Sequence, residues 1–287
     1  MTTPDVLLAT DAEWATLIED DVPILEAMRA HGLTGEPAVW DDPDVDWGSA
    51  RAVVLRSVFD YVPKRERFLD WIDRTSRTTP VHNPPALVRW NSHKGYLREL
   101  EAAGIPIIPT VWPAAGSTVD LAQLLDERSW VAAVVKPAVG NGGREAVRVR
   151  CGEDLSAGQA LVDELLPTRE VMIQPYITAT EDRGEHALIH FDGRFSHGVR
   201  KDQMLAGRAF SMERVLPTVP SEAELALAQR VLAHIGEPPL YARVDVVTDG
   251  DVVRLMELEV IEPVLFLSKS AGAVDRFALA IRDRIQG

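Results

Sequence analysis

Cysteine is nearly absent, with Cys151 the single one in 287 residues. An intrachain disulfide framework and a multi-cysteine metal site are thereby excluded. With no matched base nearby in the sequence, Cys151 is expected to be a buried or half-exposed structural thiol. Positive charge is also short: 30 lysines and arginines face 44 acidic residues, a formal net charge of −14, and no Lys/Arg-rich run reverses the balance locally. Such a surface opposes nucleic acid and anionic membrane as partners. No stretch reaches the roughly 18 apolar residues of a membrane span. The start, Met1-Thr2-Thr3-Pro4-Asp5, lacks the basic region and apolar core of a leader, so a cytoplasmic location is expected. Internal repeats and low-complexity tracts are missing too, which sets aside solenoids and disordered arrays. What remains is a 46% hydrophobic chain long enough for two or three subdomains.

The apolar run Trp130-Val131-Ala132-Ala133-Val134-Val135 ends in Lys136-Pro137, and Gly140-Asn141-Gly142-Gly143-Arg144 follows at once. A strand-end lysine before a glycine-rich turn outlines a polyphosphate site. The lysine supplies a point charge, and glycines let backbone N–H groups approach an anion that a Cβ would keep away. A plain structural hairpin is the alternative on turn chemistry alone.

Further on, Arg243-Val244-Asp245-Val246-Val247 alternates polar with apolar residues, and so does the run from Val252 to Val260 beyond the turn Thr248-Asp249-Gly250-Asp251. Period two predicts two strands paired as a hairpin. Arg243 and Asp245 then share one face, Glu257 and Glu259 share one face, and the register is able to set Asp245 across from the glutamates. Carboxylates crowded on one sheet face repel unless something cationic lies among them, and oxygen-only ligation suits Mg2+ bound jointly with nucleotide phosphates. A solvated outer face is the alternative, opposed by the apolar neighbours Met256, Leu258, Val260, Ile261 and Val264 to Leu267.

Lysine, glycine loop and metal carboxylates in this order resemble the ATP-grasp superfamily, in its glutathione synthetase and RimK-like branch. Asn91-Ser92-His93-Lys94 opens an amphipathic helix where that branch carries its first nucleotide lysine, and Val171-Met172-Ile173-Gln174-Pro175-Tyr176-Ile177 resembles its adenine-side strand and hinge. A narrower likeness covers nearly the whole chain. Arg89-Trp90-Asn91, Gly184-Glu185, the string Phe195-Ser196-His197-Gly198-Val199-Arg200-Lys201 and the segment Glu257 to Phe266 resemble the ATP-grasp ligases that close the ring of cycloserine from an O-ureidoserine precursor, and their actinobacterial relatives. Val54 to Tyr61 resembles them as well, with Phe59 where members tend to carry tryptophan. Glu259 stands where many ATP-grasp members carry asparagine.

The resemblance implies an α/β (α+β) ATP-grasp fold, in which an N-terminal pre-ATP-grasp domain accompanies two lobes that sandwich ATP. Domain boundaries are expected at 1–85, 86–166 and 167–287, with the linker Thr78 to Pro85 marking the first. It also implies ATP and Mg2+ as cofactors and a small amino-acid-derived substrate as partner, with a homo-oligomer left open. Lys94 and Lys136 would hold phosphates, assisted by the loop Gly140, Asn141, Gly142, Gly143 and Arg144. Gln174, Pro175, Tyr176 and Ile177 would meet the base, and Glu185 would lie near ribose, metal or substrate. Asp245, Glu257 and Glu259 are the metal positions. Arg200 and Arg243, whose forks suit a phosphoryl group and a developing oxyanion, are the catalytic cations together with Lys201. Arg56, Ser57, Asn83 and His197 are the substrate candidates, while His93, His186 and His190 read as structural. The expected reaction is activation of a carboxylate as an acyl phosphate and attack by a nitrogen, internal or from a second molecule. A nucleotide-binding regulatory protein is the alternative of another class.

Two smaller expectations concern local structure. Asp41, Asp42, Asp44 and Asp46 read as turn chemistry rather than a metal site. Ser221 and Glu224 read as a capping box that starts a helix with Leu225, Ala228, Val231, Leu232 and Ile235 toward the core.

Overall fold

Short apolar runs in the first third of the chain make a parallel sheet. In this computed structural model, which describes residues 3–143, 145–202 and 211–287, β1 (Val6–Thr10), β2 (Gly35–Val39), β3 (Ala52–Leu55) and β4 (Val81–His82) lie in the order β2-β1-β3-β4. Every residue of β1 and β3 is buried, as a parallel sheet covered on both faces requires. Helix Arg65–Thr75 packs Phe68 and Trp71 against Trp40, whose ring centroid is 5.3 Å from that of Phe68. The aspartate-rich stretch is turn structure: Asp42 accepts from the Asp44 N–H at 2.9 Å and Asp46 from that of Gly48 at 3.0 Å.

The middle sheet is antiparallel, with β6 (Val147–Arg150), β5 (Ala132–Pro137) and β7 (Val171–Pro175) in that order. The last sheet has five antiparallel strands: β8 (Glu185–Phe191), β9 (Arg194–Lys201), β10 (Val215–Thr218), β11 (Tyr241–Asp249) and β12 (Val252–Glu259), in the order β10-β9-β8-β11-β12. Helix Glu222–Ile235 covers one side of it and starts in the expected Ser221–Glu224 capping box.

Two expected boundaries move. β7 pairs with β5, setting Val135 beside Ile173, so the middle lobe extends to the hinge after Pro175 instead of ending at 166. The helices Pro85–Asn91 and Tyr96–Ala102 share a core with Leu227, Val231 and Leu258 of the last lobe, so the segment after 85 belongs there structurally. Both shifts come from pairing and packing between residues far apart in sequence.

Cores explain where the cleft lies. Val6, Leu8 and Met28 of the first unit share a core with Ile189, Tyr241 and Phe277, so the N-terminal unit and the last lobe are fused through the C-terminal helix Ala273–Gln286. The middle lobe keeps its own core around Leu121, Val135, Val162 and Ile173. Cys151 is exposed, contrary to expectation, with its Sγ 3.2 Å from the Trp130 carbonyl. Among the described residues no helix is long and apolar enough to cross a membrane.

Candidate active site

Between the middle lobe and the fused pair lies a cavity of about 1050 Å³, large enough for a nucleotide and a small second molecule. Period-two strands set its charged wall. Arg243 stands opposite Glu259 and Asp245 opposite Glu257 on the β11–β12 hairpin, and all four line the cavity. Lys201, from β9, enters the same wall and donates to Asp245 at 2.7 Å, with Glu185 at 3.4 Å. Lys94 pairs with Glu257. Lys136, at the end of β5, lines the cavity with no carboxylate in ion-pair distance among the described residues.

These groups set one another's charge. Burial works against ionising Asp245, but Arg243 and Lys201 overcome it and hold its carboxyl below the ordinary range. Burial likewise opposes the charge on Lys94, yet Glu257 keeps the ammonium above its usual value. Lys136 is pulled down by burial. Burial, with Glu257 and Asp245 adding repulsion, pushes Glu259 up to about 7 although Arg243 is bonded to it.

Gly140, Asn141, Gly142 and Gly143 all line the cavity. The left-handed φ of +59° at Gly142 and +65° at Gly143 explains two of the glycines. Arg144 lies outside the described residues. The Asn141 side chain turns away from a phosphate role, donating to the Phe59 carbonyl at 2.9 Å and to Glu262 at 3.1 Å. At the hinge, Gln174, Pro175, Tyr176 and Ile177 line the cavity beside Ile108 and Met256. Gln174 donates to Thr110 at 2.8 Å, and the Tyr176 N–H goes to Ala132 at 2.9 Å. Arg148 stacks over the Tyr176 ring at 3.6 Å, stiffening that face.

Five expected residues do not reach the cavity. Arg200 neighbours Lys201 on β9, so alternation turns it to the opposite face, where it bonds Asp202 at 3.2 Å. Arg56 is 1% exposed and forks onto Asp21 at 3.1 and 3.0 Å. Ser57 is buried beneath it, its carbonyl taken by Asp11 N–H at 3.0 Å. Asn83 donates to the Tyr241 and Val260 carbonyls at 2.8 and 2.9 Å and accepts from Leu240 at 2.7 Å, tying the first unit to the last lobe. His197 is buried against the Leu265 carbonyl at 2.9 Å. Conversely, Phe59 and Asp60 line the cavity, and Glu262 walls a recess of about 20 Å³ beside it. Their adjacency to Ser57 and to the Glu257–Glu259 pair was the available signal.

The three carboxylates do not converge as a ready-made cluster, and among the described residues no such group of three is poised for a metal. Arg243 lies between Asp245 and Glu259, and Lys94 takes Glu257. That arrangement still fits Mg2+, which commonly uses one or two carboxylates and completes its shell with water and phosphate oxygens. Of the three expected carboxylates, Asp245 and Glu257 already meet that requirement.

This arrangement of lobes is shared with ATP-grasp proteins of known structure. The structure of the ATP-grasp ligase PsnB complexed with precursor peptide PsnA2 and AMPPNP superposes with a TM-score of 0.67 at 16% identity, covering 99% of this chain and 98% of that one, a likeness of fold. The fold is thus that of the ATP-grasp proteins. The family described as D-cycloserine synthetase DcsG, N-terminal domain, matches residues 6–83. The cycloserine biosynthesis protein DcsG of Streptomyces lavendulae is 33% identical over 97% of this chain and 98% of its own length. The crystal structure of D-cycloserine synthetase DcsG superposes with a TM-score of 0.89 at 32% identity, covering 98% of this chain and 99% of that one. The chain belongs to the DcsG family of ATP-grasp ligases.

Proposed function

We propose that this ligase uses ATP and Mg2+ to activate the carboxylate of a small amino-acid derivative as an acyl phosphate, and that a nitrogen of the same molecule then closes a ring, as the name D-cycloserine synthetase implies for its relative. The observation that carries the reading is the convergence of Lys94, Lys136, Lys201 and Arg243 with Asp245 and Glu257 on one cavity wall. A carboxylate is a poor acyl donor because its oxygen is a poor leaving group. Attack of that oxygen on the γ-phosphorus expels ADP and converts the oxygen into part of a phosphate. The nitrogen then forms the C–N bond, inorganic phosphate leaves, and the nitrogen gives up a proton.

The residues mostly position and neutralise. Lys94 and Lys136 offset phosphate charge, and the Gly142–Gly143 backbone approaches closely. Arg243 offers a fixed bidentate fork to the transferring phosphoryl group, and Lys201 adds a second cation beside it. Mg2+, when bound, neutralises phosphate oxygens and aligns them, with Asp245 and Glu257 as the carboxylates suited to hold it. Ile108, Met256 and Ile177 supply apolar contact for a base, leaving the Phe59–Asp60 end for the substrate.

The test is ADP release measured over a panel of amino acids and O-substituted serine derivatives of both configurations. The reading expects one organic substrate to suffice. A strict need for two joins separate molecules instead, and ADP release with none of the panel contradicts the substrate class.

A further inference from the structure

We propose that Asn141 is a positioning residue that makes seating of the phosphate loop depend on the substrate-facing wall of the cavity. This deepens the ligase reading and rests on it. The amide sits at the tip of the glycine loop, and both of its N–H groups leave the middle lobe. One goes to the Phe59 carbonyl of the N-terminal unit at 2.9 Å, 82 positions away, and the other to Glu262 of the last lobe at 3.1 Å, 121 positions away. An asparagine that merely completed a turn would bond within its own loop.

The stem of the same loop is held differently. Arg169 forks onto Glu145 at 2.9 and 3.0 Å and donates to the Val139 carbonyl at 3.2 Å, so both flanks are fixed from within the middle lobe. Stem and tip therefore report on different things. The stem follows the lobe that carries the loop, whereas the tip follows Phe59, at the end of the cavity left for the substrate, and Glu262, on the small recess beside it.

Glu262 is built for this use. It is 8% exposed, and among the described residues no cation lies within ion-pair distance of it, unlike Asp245, Glu257 and Glu259. Burial, reinforced by Glu259, pushes its carboxyl up to about 8. A carboxyl in that state accepts from a neutral amide at little cost, where a cation-paired one would have its oxygens committed. Displacing Phe59 or Glu262 removes one of the two bonds, and the loop tip loosens over the phosphates. The consequence is chemical: a loosened tip admits water to the γ-phosphoryl group, and ATP is spent on hydrolysis.

Hydrogen exchange of peptides spanning 138–147 tests this in the protein alone and with a non-hydrolysable ATP analogue plus Mg2+, alongside the ratio of ADP to ligated product. In Asn141→Ala, loss of two hydrogen bonds should speed exchange at the tip about tenfold while the analogue's affinity changes little, and ADP should exceed product. Glu262→Gln keeps an acceptor of the same size and should exchange as the parent does, whereas Glu262→Ala, which removes one of the two bonds, should speed exchange by less than Asn141→Ala and add nothing to it in the double variant. Parental exchange in Asn141→Ala overturns the tie. Faster exchange with ADP and product still equal overturns the coupling. The exchange measurement needs no substrate, so it decides the tie even if the ligase reading fails.

Discussion

Arg243 and Asp245 stand two positions apart on β11, and the guanidinium closes on the carboxylate, with Nε 2.9 Å from Oδ1 and Nη2 2.9 Å from Oδ2. The same arginine reaches Glu259, and Lys201 takes Asp245 from the other side at 2.7 Å. Carboxylates suited to a cation are thus satisfied by the cations suited to phosphate. On the proposed reading, phosphate and Mg2+ entering together would exchange one set of pairs for another, and the wall would not be left with bare charge of one sign. Such an exchange matters because an unpaired buried charge costs several kcal/mol, on the order of 3–5 when one partner is removed.

Lys136→Ala should weaken binding of a non-hydrolysable ATP analogue by roughly ten- to a hundredfold, the worth of one charge-assisted contact. Its folding stability should hardly change, since among the described residues no carboxylate in ion-pair distance loses a partner. Lys94→Ala should weaken binding similarly and also destabilise the fold, because it strands Glu257. Calorimetric titration and denaturant unfolding separate the two; parental affinity in Lys136→Ala would remove the nucleotide assignment.

Glu257→Gln keeps the volume and removes the charge. Mg2+-dependent ADP release should fall by about two orders of magnitude or more, as expected for loss of a main electrostatic stabiliser. Unchanged turnover would return the hairpin carboxylates to a purely structural role.

Arg56→Leu separates stability from recognition. It leaves Asp21 buried and unpaired, so a denaturation midpoint should register a loss of about 3–5 kcal/mol. Protein that remains folded should keep its KM for the organic substrate. A raised KM without loss of stability would restore Arg56 to the substrate site.

Period two made the hairpin legible: Arg243, Asp245, Glu257 and Glu259 had to share a face once the strands paired. Lys136 was legible because Pro137 and the glycines follow it. The chain has only five lysines, Lys64, Lys94, Lys136, Lys201 and Lys269, and three of them line the cavity, which made their weight in the pattern real. Arg56 and His197 sat in family-like strings and Asn83 in the expected linker, but their partners are up to 207 positions away, and no local pattern encodes which polar residue will tie two lobes together. Arg200 was misplaced by one residue of alternation. Glu262 lies past the end of β12, where periodicity stops. The 166 boundary failed because β7 completes a sheet begun some 35 residues earlier, a pairing that only tertiary contact defines.

Acid should erode stability through His190. Burial lowers its imidazole from 6.5 to about 4 in the folded chain, where it is 2% exposed and bonded to the Leu188 carbonyl at 3.1 Å. Between those values the unfolded chain binds a proton that the folded chain refuses. The contribution is therefore complete above pH 6.5 and is lost as pH falls toward 4, by up to about 3 kcal/mol. Unfolding free energies from pH 7.5 to 4 should fall less steeply in His190→Gln; equal slopes would place the acid sensitivity elsewhere.

Oxygen transfer from the organic substrate to phosphate tests the acyl-phosphate claim most directly. With both carboxylate oxygens of the substrate labelled with oxygen-18, the oxygen that attacks the γ-phosphorus must leave with the phosphate when nitrogen closes on the carbonyl. The account predicts one labelled oxygen in each inorganic phosphate released. ADP formation with unlabelled phosphate, while product still accumulates, would contradict it.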